Sequence, residues 1–211
     1  MFDFSKYELI IFDYDGVILD SMPYWYHIST EFILHKGKKP KDDLDDTVVY
    51  YLTHDVANKF IEEYDLEGGV DEVLKEMELF ILDTYPSVKT RPNMKSLLER
   101  LSMKKKILFS SSPSKIVIPS LEANNIKDYF NKIYTAKELN ISKYDYSGFE
   151  YITYDNDIPR DKILILDNDK DVIKTASKYG FDTIFIKDQF NEKEIEEVKK
   201  FVTAIYDVNC L

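Results

Sequence analysis

The chain has 211 residues, of which 44% are hydrophobic and 32% are charged, and its formal net charge is -11. This balance is typical of a globular protein with a buried core and excludes a disordered chain. The negative charge disfavours binding to nucleic acid or to an anionic membrane surface. The first residues show no basic segment before a long apolar run, and the single cysteine, Cys210, cannot form an intramolecular disulfide. We therefore expect a cytoplasmic location.

The first predicted element is a buried strand over residues 9–12, and two acidic residues follow it. Asp13 and Asp15 are two positions apart, and side chains with this spacing point the same way in extended backbone. Gly16 then allows the chain to turn. Taken alone, this segment fits either a site with two carboxylates or a solvated acidic turn.

Residues 21–88 contain amphipathic helices and no convincing strand. The clearest helices are predicted over residues 53–64 and about 70–85. We therefore predict two parts, a catalytic core made of residues 1–20 and 89–211 and an inserted all-helical cap made of residues 21–88. Insertion after the first strand would place this cap over the strand ends as a lid.

Short apolar runs after the insertion predict further strands, separated by helical patterns and followed by a last helix from about Asn191. The runs cover residues 107–109, 163–166 and 183–186, with a weaker one at 132–134. Strands that alternate with helices in this way predict an α/β fold, a doubly wound parallel sheet of the Rossmann-like type. Its ligand site should lie beyond the carboxyl ends of the strands.

Polar residues follow two of these strands, and a lysine lies between them in the sequence. Ser110 and Ser111 come at a strand end, where hydroxyl groups and backbone amides can hold phosphate oxygens. Asp167 and Asn168 belong to an oxygen-rich group of the kind that suits Mg²⁺. Each of these signals alone has another interpretation. The serines could form a helix cap, the acidic group could be a solvated turn, and Lys143 could be an ordinary surface lysine.

The order of these segments resembles the four motifs of the haloacid-dehalogenase-like (HAD) hydrolase superfamily, and the resemblance covers nearly the whole chain. IIFDYDGVILDS carries the acid pair, ILFSSSPSK the hydroxyl, SKYDYSGF the lysine and ILILDNDKD the last acidic group. The phenylalanine usual six residues after the lysine is present as Phe149. The sequence is most similar to the branch that contains beta-phosphoglucomutase and sugar-phosphate phosphatases with a helical cap.

The resemblance implies a magnesium-dependent phosphatase that works through an aspartyl-phosphate. Asp13 would be the nucleophile and Asp15 the general acid and base. The transferring phosphoryl group would be bound by residues of the second and third motifs, namely Ser110, Ser111 and Lys143. Mg²⁺ would be held by oxygen atoms of the first and last motifs, from Asp13, Asp15, Asp167 and Asn168.

Two site positions depart from the family's pattern. Tyr144 replaces the proline that usually follows the lysine, and Asn168 stands where an aspartate is common. A shift of one residue would instead pair Asp167 with Asp171, but the apolar positions that follow agree better with the first alignment. A neutral Asn168 removes one negative charge from the metal site.

Three functions are open at this stage. The preferred one is hydrolysis of a small phosphorylated metabolite, by a monomer or homodimer with no nucleic-acid or membrane partner. A phosphomutase of the beta-phosphoglucomutase type would share the chemistry of Asp13 and Asp15, and a non-catalytic binding or regulatory module could keep the same fold. Basic residues of the insertion that could grip a second phosphate are candidates only: Lys36, Lys38, Lys39 and Lys59.

Overall fold

The computed structural model describes residues 2–48 and 52–207, and Cys210 lies outside this part of the chain. The chain divides into two compact units. One, called the core unit below, comprises Met1–Asp20 and Lys89–Leu211, and the other, called the helical unit, comprises Ser21–Val88. Among the described residues, no helix is both long enough and apolar enough to cross a bilayer.

The described part of the core unit contains one sheet of six parallel strands, in the spatial order β3-β2-β1-β4-β5-β6. The chain runs from β1 outward to β3 on one side and then returns to β4 on the other side of β1. The carboxyl end of β1 is therefore the switch point at which such sheets bind ligands. The strands are β1 (Leu9–Phe12), β2 (Lys105–Ser110), β3 (Lys132–Thr135), β4 (Ile163–Asp167), β5 (Asp182–Lys187) and β6 (Ala204–Asp207).

Both faces of β1 are buried, which explains its uninterrupted apolar sequence. Leu9 and Ile11 belong to a hydrophobic cluster that includes Val172 of the segment after β4. Their neighbours in the strand point to the opposite face and are also fully buried. A strand covered on both faces excludes water along its whole length, so every position favours an apolar residue.

The helical unit contains α1 (Met22–His35), α2 (Leu44–Thr47), α3 (His54–Tyr64) and α4 (Val70–Thr84). The α3 helix begins after Thr53, whose Oγ1 accepts a hydrogen bond from the backbone N–H of Val56 at 3.2 Å. Phe32 of α1 lies against Phe60 of α3 and Phe80 of α4, with ring centroids 5.9 and 5.7 Å apart. The two helices predicted most clearly from the sequence, α3 and α4, are present.

Helices lie on both sides of the sheet in the core unit, so the predicted doubly wound α/β fold is confirmed. The sequence prediction was incomplete at the end of the chain. A 3-10 turn follows Asn191, and α10 (Ile195–Val198) has only four residues. β6 was not predicted, and its three apolar residues are only partly buried. The helices are α5 (Met94–Arg100), α6 (Ser114–Ala123), α7 (Ala136–Leu139), α8 (Tyr146–Asn156), α9 (Lys170–Lys178) and α10 (Ile195–Val198).

Candidate active site

Asp13 directly follows β1 at the carboxyl edge of the sheet. Its backbone N–H donates a hydrogen bond to the carbonyl of Leu166 at 2.9 Å, which extends the pairing of β1 with β4 by one residue. Phe12 lies opposite Leu166 in the parallel register, so Asp13 and Asp167 come next to each other on adjacent strands. Both side chains are buried.

Lys143 places a positive charge between these two carboxylates. Its Nζ lies 2.5 Å from Asp13 Oδ1 and 2.7 Å from Asp167 Oδ2, and the lysine is only 5% exposed. Burial raises the pKa of Asp13, and the Asp167 carboxylate raises it further, while Lys143 opposes both effects. Burial alone lowers the pKa of Lys143, but the two carboxylates outweigh it and raise this pKa above its usual range. The cluster thus contains two carboxylates and one ammonium group, and this excess of negative charge favours the binding of a further cation.

The loop that carries Lys143 is attached to α9 by Tyr144. The Tyr144 hydroxyl donates a hydrogen bond to Asp169 Oδ2 at 3.0 Å, and Thr175 Oγ1 donates one to the Tyr144 carbonyl at 3.2 Å. Asp169 also caps α9, since its Oδ1 accepts a hydrogen bond from the backbone N–H of Asp171. The tyrosine that departs from the family's proline therefore anchors the lysine loop through a side-chain hydrogen bond that proline cannot make.

A close approach of α8 to this loop depends on Gly148. A Cβ atom at that position would lie 2.4 Å from the carbonyl oxygen of Ser142 and 2.8 Å from Cζ of Phe109. The neighbouring Phe149 packs edge-to-face on Phe109 with ring centroids 5.9 Å apart. Because Lys143 directly follows Ser142, the packing of α8 on β2 helps to fix the position of the lysine.

Asn168 lies beside the second carboxylate oxygen of Asp13. One end of its side-chain amide lies 3.2 Å from Asp13 Oδ2 and 3.1 Å from the backbone carbonyl oxygen of Asp15. With the NH₂ group turned inward, Asn168 donates hydrogen bonds to both oxygens; with Oδ1 turned inward, the Asn168 oxygen lies at these same distances from the other two oxygens. Octahedral Mg²⁺ holds its ligands at about 2.0–2.1 Å, which places adjacent ligand oxygens about 3 Å apart. The two separations from Asn168 Oδ1 therefore agree with oxygens that share Mg²⁺ as ligands.

The other two acidic residues considered for the metal have different partners. Asp167 Oδ2 is paired with Lys143, and Asp167 Oδ1 accepts a hydrogen bond from the backbone N–H of Asp169 at 3.0 Å. Asp171 is exposed and lies 3.4 Å from Lys174 Nζ. Within the described residues, no three His, Cys, Asp or Glu side chains form a metal-binding group. The set that fits a cation is instead a carboxylate, a carbonyl and an amide, in agreement with the alignment that uses Asn168.

The three serines after β2 differ in their placement. Ser110 is buried, and its Oγ accepts a hydrogen bond from the backbone N–H of Ser112 at 3.0 Å. Ser112 Oγ donates a hydrogen bond to Asp15 Oδ2 at 2.8 Å, whereas Ser111 is exposed. Ser110 and Ser111 are the serines predicted from the sequence to bind phosphate, and Ser112 is not among the predicted site residues. The spacing of two between Ser110 and Ser112 is the signal that could have identified it.

Asn191 is a second residue that the sequence analysis did not connect with the site. Its Nδ2 donates hydrogen bonds to the carbonyl oxygens of Asn168 at 3.1 Å and Ile186 at 3.0 Å, which joins the ends of β4 and β5. Its Oδ1 accepts a hydrogen bond from the backbone N–H of Asp188, whose carboxylate pairs with buried Arg91 at 2.6 Å. Nothing in the sequence marks the contacts of Asn191 with Asn168 and of Asp188 with Arg91, because these residues are far apart along the chain.

The family model described as haloacid dehalogenase-like hydrolase matches residues 10–186 of this chain, and the chain belongs to this family. A phosphorylated carbohydrates phosphatase from Thermotoga maritima is 19% identical over 181 residues, which are 84% of each chain. The resemblance inferred from the four motifs is confirmed, and the chain is an enzyme of this hydrolase family.

Two solved structures share the fold. A candidate beta-phosphoglucomutase from Thermotoga maritima has a TM-score of 0.84 and 17% identity, and the match covers 96% of this chain and 95% of that one. A predicted phosphoglycolate phosphatase from Haemophilus somnus has a TM-score of 0.75 and 18% identity, with 97% and 96% covered. At these identities the likeness establishes the fold, and substrates need a separate argument.

Proposed function

We propose that this enzyme is a magnesium-dependent phosphatase that hydrolyses a small phosphorylated metabolite, such as a sugar phosphate, through an aspartyl-phosphate on Asp13. The observation that carries the proposal is the environment of the Asp13 carboxylate. One of its oxygens lies against Lys143, and the other lies in the three-oxygen group with Asp15 and Asn168. The curated relative named for phosphorylated carbohydrates supports the class of substrate.

The charges of the site support a role for Mg²⁺. A phosphoryl dianion approaching Asp13 would be repelled by that carboxylate and by Asp167, and Lys143 offsets only part of this repulsion. Mg²⁺ would be held by Asp13 Oδ2, the Asp15 carbonyl oxygen and Asn168 Oδ1, and when bound it would neutralise charge on the phosphoryl oxygens. Asp167 would act through Lys143, which it keeps charged and in position.

The hydrolysis divides into two steps in this proposal. Asp13 attacks phosphorus, an Asp13 O–P bond forms, and the bond from phosphorus to the leaving oxygen breaks as Asp15 gives that oxygen a proton. A water molecule then attacks phosphorus while Asp15 accepts its proton. The Asp13 O–P bond breaks, which releases phosphate and restores both carboxyl groups.

The second and third motifs would bind the transferring phosphoryl group. Ser110 lies at the end of β2, next to β1, and Ser110 and Ser111 offer hydroxyl and amide groups at the edge of the sheet. Lys143 would neutralise developing charge beside Asp13, and its burial makes that interaction stronger than it would be in water. Exposed Ser111 would contact a phosphoryl oxygen from the solvent side.

The test is a phosphate-release assay over a panel of phosphorylated metabolites with Mg²⁺, after exhaustive chelation, and after Mg²⁺ is restored. We expect activity only when the metal is present, and none with Asp13→Asn. Asp171→Asn is the matched control, because it makes the same chemical change at an exposed position, and it should retain activity. Full activity after chelation, or in Asp13→Asn, would contradict the proposal.

The same assay separates the alternative functions. Conversion of a sugar phosphate to an isomer without release of phosphate would indicate a phosphomutase, which shares the first step. Binding of a phosphorylated metabolite with no turnover of any substrate would indicate a binding or regulatory module. Either result would replace the phosphatase proposal.

A further inference from the structure

We propose that Ser112 is a positioning residue that orients Asp15 for proton transfer to the leaving group. This inference rests on the proposed function, in which Asp15 is the general acid and base. Its basis is the hydrogen bond from Ser112 Oγ to Asp15 Oδ2 at 2.8 Å, between side chains 97 residues apart in sequence.

Ser112 is itself well fixed. Its backbone N–H donates a hydrogen bond to the Oγ of Ser110 at 3.0 Å, and Ser110 is 1% exposed at the end of β2. The β2 strand pairs directly with β1, since Leu108 lies opposite Phe12. The hydroxyl that meets Asp15 is therefore anchored to the central part of the sheet.

Asp15 is in a less regular environment than Asp13. It lies beyond the end of β1, where the chain turns at Gly16 with a φ of 74°, and it joins Leu19 by an isolated bridge. The χ1 torsion of an aspartate has three staggered positions. The hydrogen bond from Ser112 selects one of them, at the edge of the sheet that also carries Asp13.

A hydroxyl suits this task in both protonation states of Asp15, because serine can donate one hydrogen bond and accept others. When Asp15 is a carboxylate, Ser112 donates to Oδ2 as the structure shows. When Asp15 is protonated on Oδ1, Ser112 still donates its hydrogen bond to Oδ2. The proton on Oδ1 then remains available for the leaving oxygen. The proton passes from Asp15 to the leaving oxygen as the P–O bond breaks, and Ser112 neither gains nor loses a proton.

The test compares two substrates that differ in their need for a general acid. The phenolate released from 4-nitrophenyl phosphate is stable without a proton, whereas the alkoxide released from an alkyl phosphate is not. A positioned general acid contributes about 10²–10⁴-fold to rate. We expect Ser112→Ala to lower kcat/KM for a hexose 6-phosphate by about 10–100-fold, a part of that contribution. The loss for 4-nitrophenyl phosphate should be several times smaller.

Three further variants serve as controls for this comparison. Ser112→Thr keeps the hydroxyl and should preserve the ratio of the two kcat/KM values. Ser114→Ala removes a hydroxyl two residues further along, at the start of α6, but that hydroxyl donates to Glu138 Oε1 at 2.7 Å, so the ratio should not change. If Ser112→Ala folds poorly, as thermal melting would show, Ser112→Gly provides a second variant without the hydroxyl.

An equal loss for both substrates in Ser112→Ala would overturn the inference, because it would indicate a role in phosphate binding or in folding. A ratio that Ser112→Thr fails to preserve would also count against it. Failure of the proposed function gives a different result. In that case the unaltered enzyme would release phosphate from neither substrate.

Discussion

The Nζ of Lys143 lies 2.5 Å from Oδ1 of Asp13, although 130 residues separate the two along the chain. The same ammonium group lies 2.7 Å from Asp167 Oδ2. All three side chains are buried, so none of these charges can be satisfied by bulk water. Lys143 therefore contributes both to the stability of the sheet edge and to the charge balance of the proposed active site.

Replacing this lysine by an apolar residue should destabilise the metal-free enzyme. Lys143→Met leaves Asp13 and Asp167 as adjacent buried carboxylates with no cation between them. Removal of one partner from a buried ion pair costs about 3–5 kcal/mol. We expect a loss of this size in the free energy of unfolding, measured by urea denaturation in the presence of EDTA.

The control for this variant is Lys132→Met. Lys132 Nζ also lies 2.5 Å from a carboxylate oxygen, that of Asp155, but both side chains are more than a third exposed. An exposed pair of this kind contributes about 0–1 kcal/mol. Adding Asp167→Asn to Lys143→Met should recover part of the lost stability. Equal effects of Lys143→Met and Lys132→Met would refute the stabilising role of the buried cluster.

A methyl group at Gly148 should disturb the lysine loop. The Cβ of Gly148→Ala would lie 2.4 Å from the Ser142 carbonyl oxygen and 2.8 Å from Phe109 Cζ, so the loop or the helix must shift. Overpacking of this kind costs about 1–3 kcal/mol. We expect lower stability together with a lower kcat. Gly69→Ala is the control, since nothing lies within 4 Å of its added Cβ. Wild-type kcat in Gly148→Ala would disprove the link between α8 and Lys143.

Changing Asn168 to aspartate should have opposite effects on the metal-free and the metal-loaded enzyme. Asn168→Asp places a second negative charge beside Asp13 Oδ2 and removes the NH₂ donor, so the metal-free protein should melt at a lower temperature. The added ligand charge should strengthen Mg²⁺ binding by about tenfold or more. Calorimetric titration with Mg²⁺ and thermal melting in EDTA measure the two effects.

The control for this variant is Gln189→Glu, which adds the same charge at an exposed position. It should change neither Mg²⁺ affinity nor the metal-free melting temperature. If Asn168→Asp behaves like Gln189→Glu in both measurements, Asn168 does not face the metal.

The central strands could be predicted from the sequence because burial leaves a visible pattern of apolar residues. Strands such as β1 and β4 are covered on both faces, so burial forces a continuous apolar run that is visible in one dimension. In a parallel sheet, the residues that directly follow each strand lie at the same edge of the sheet. Asp13 and Asp167 could therefore be expected to meet before any coordinates were known.

Other features depend on contacts between distant segments and leave no such trace. Ser112 donates a hydrogen bond to Asp15, and Asn191 donates one to the Asn168 carbonyl, but neither residue belongs to a hydrophobic pattern. The β6 strand has only four residues, all partly buried, and its apolar stretch of three gives a weak signal. The apolar positions after the motif favour the alignment with Asn168, but only the structure shows that Asp171 is exposed and lies beside Lys174.

The formation of an aspartyl-phosphate on Asp13 is the central claim, and chemical trapping of that residue tests it most directly. Borohydride reduces an acyl phosphate to an alcohol, so it converts a phosphorylated aspartate to homoserine. The enzyme is quenched during turnover with Mg²⁺ and substrate, reduced, digested and sequenced by mass spectrometry. We predict homoserine at position 13 in the active enzyme, and none without substrate or in Asp13→Asn. Turnover with an unmodified Asp13, or homoserine at another position, would contradict the account.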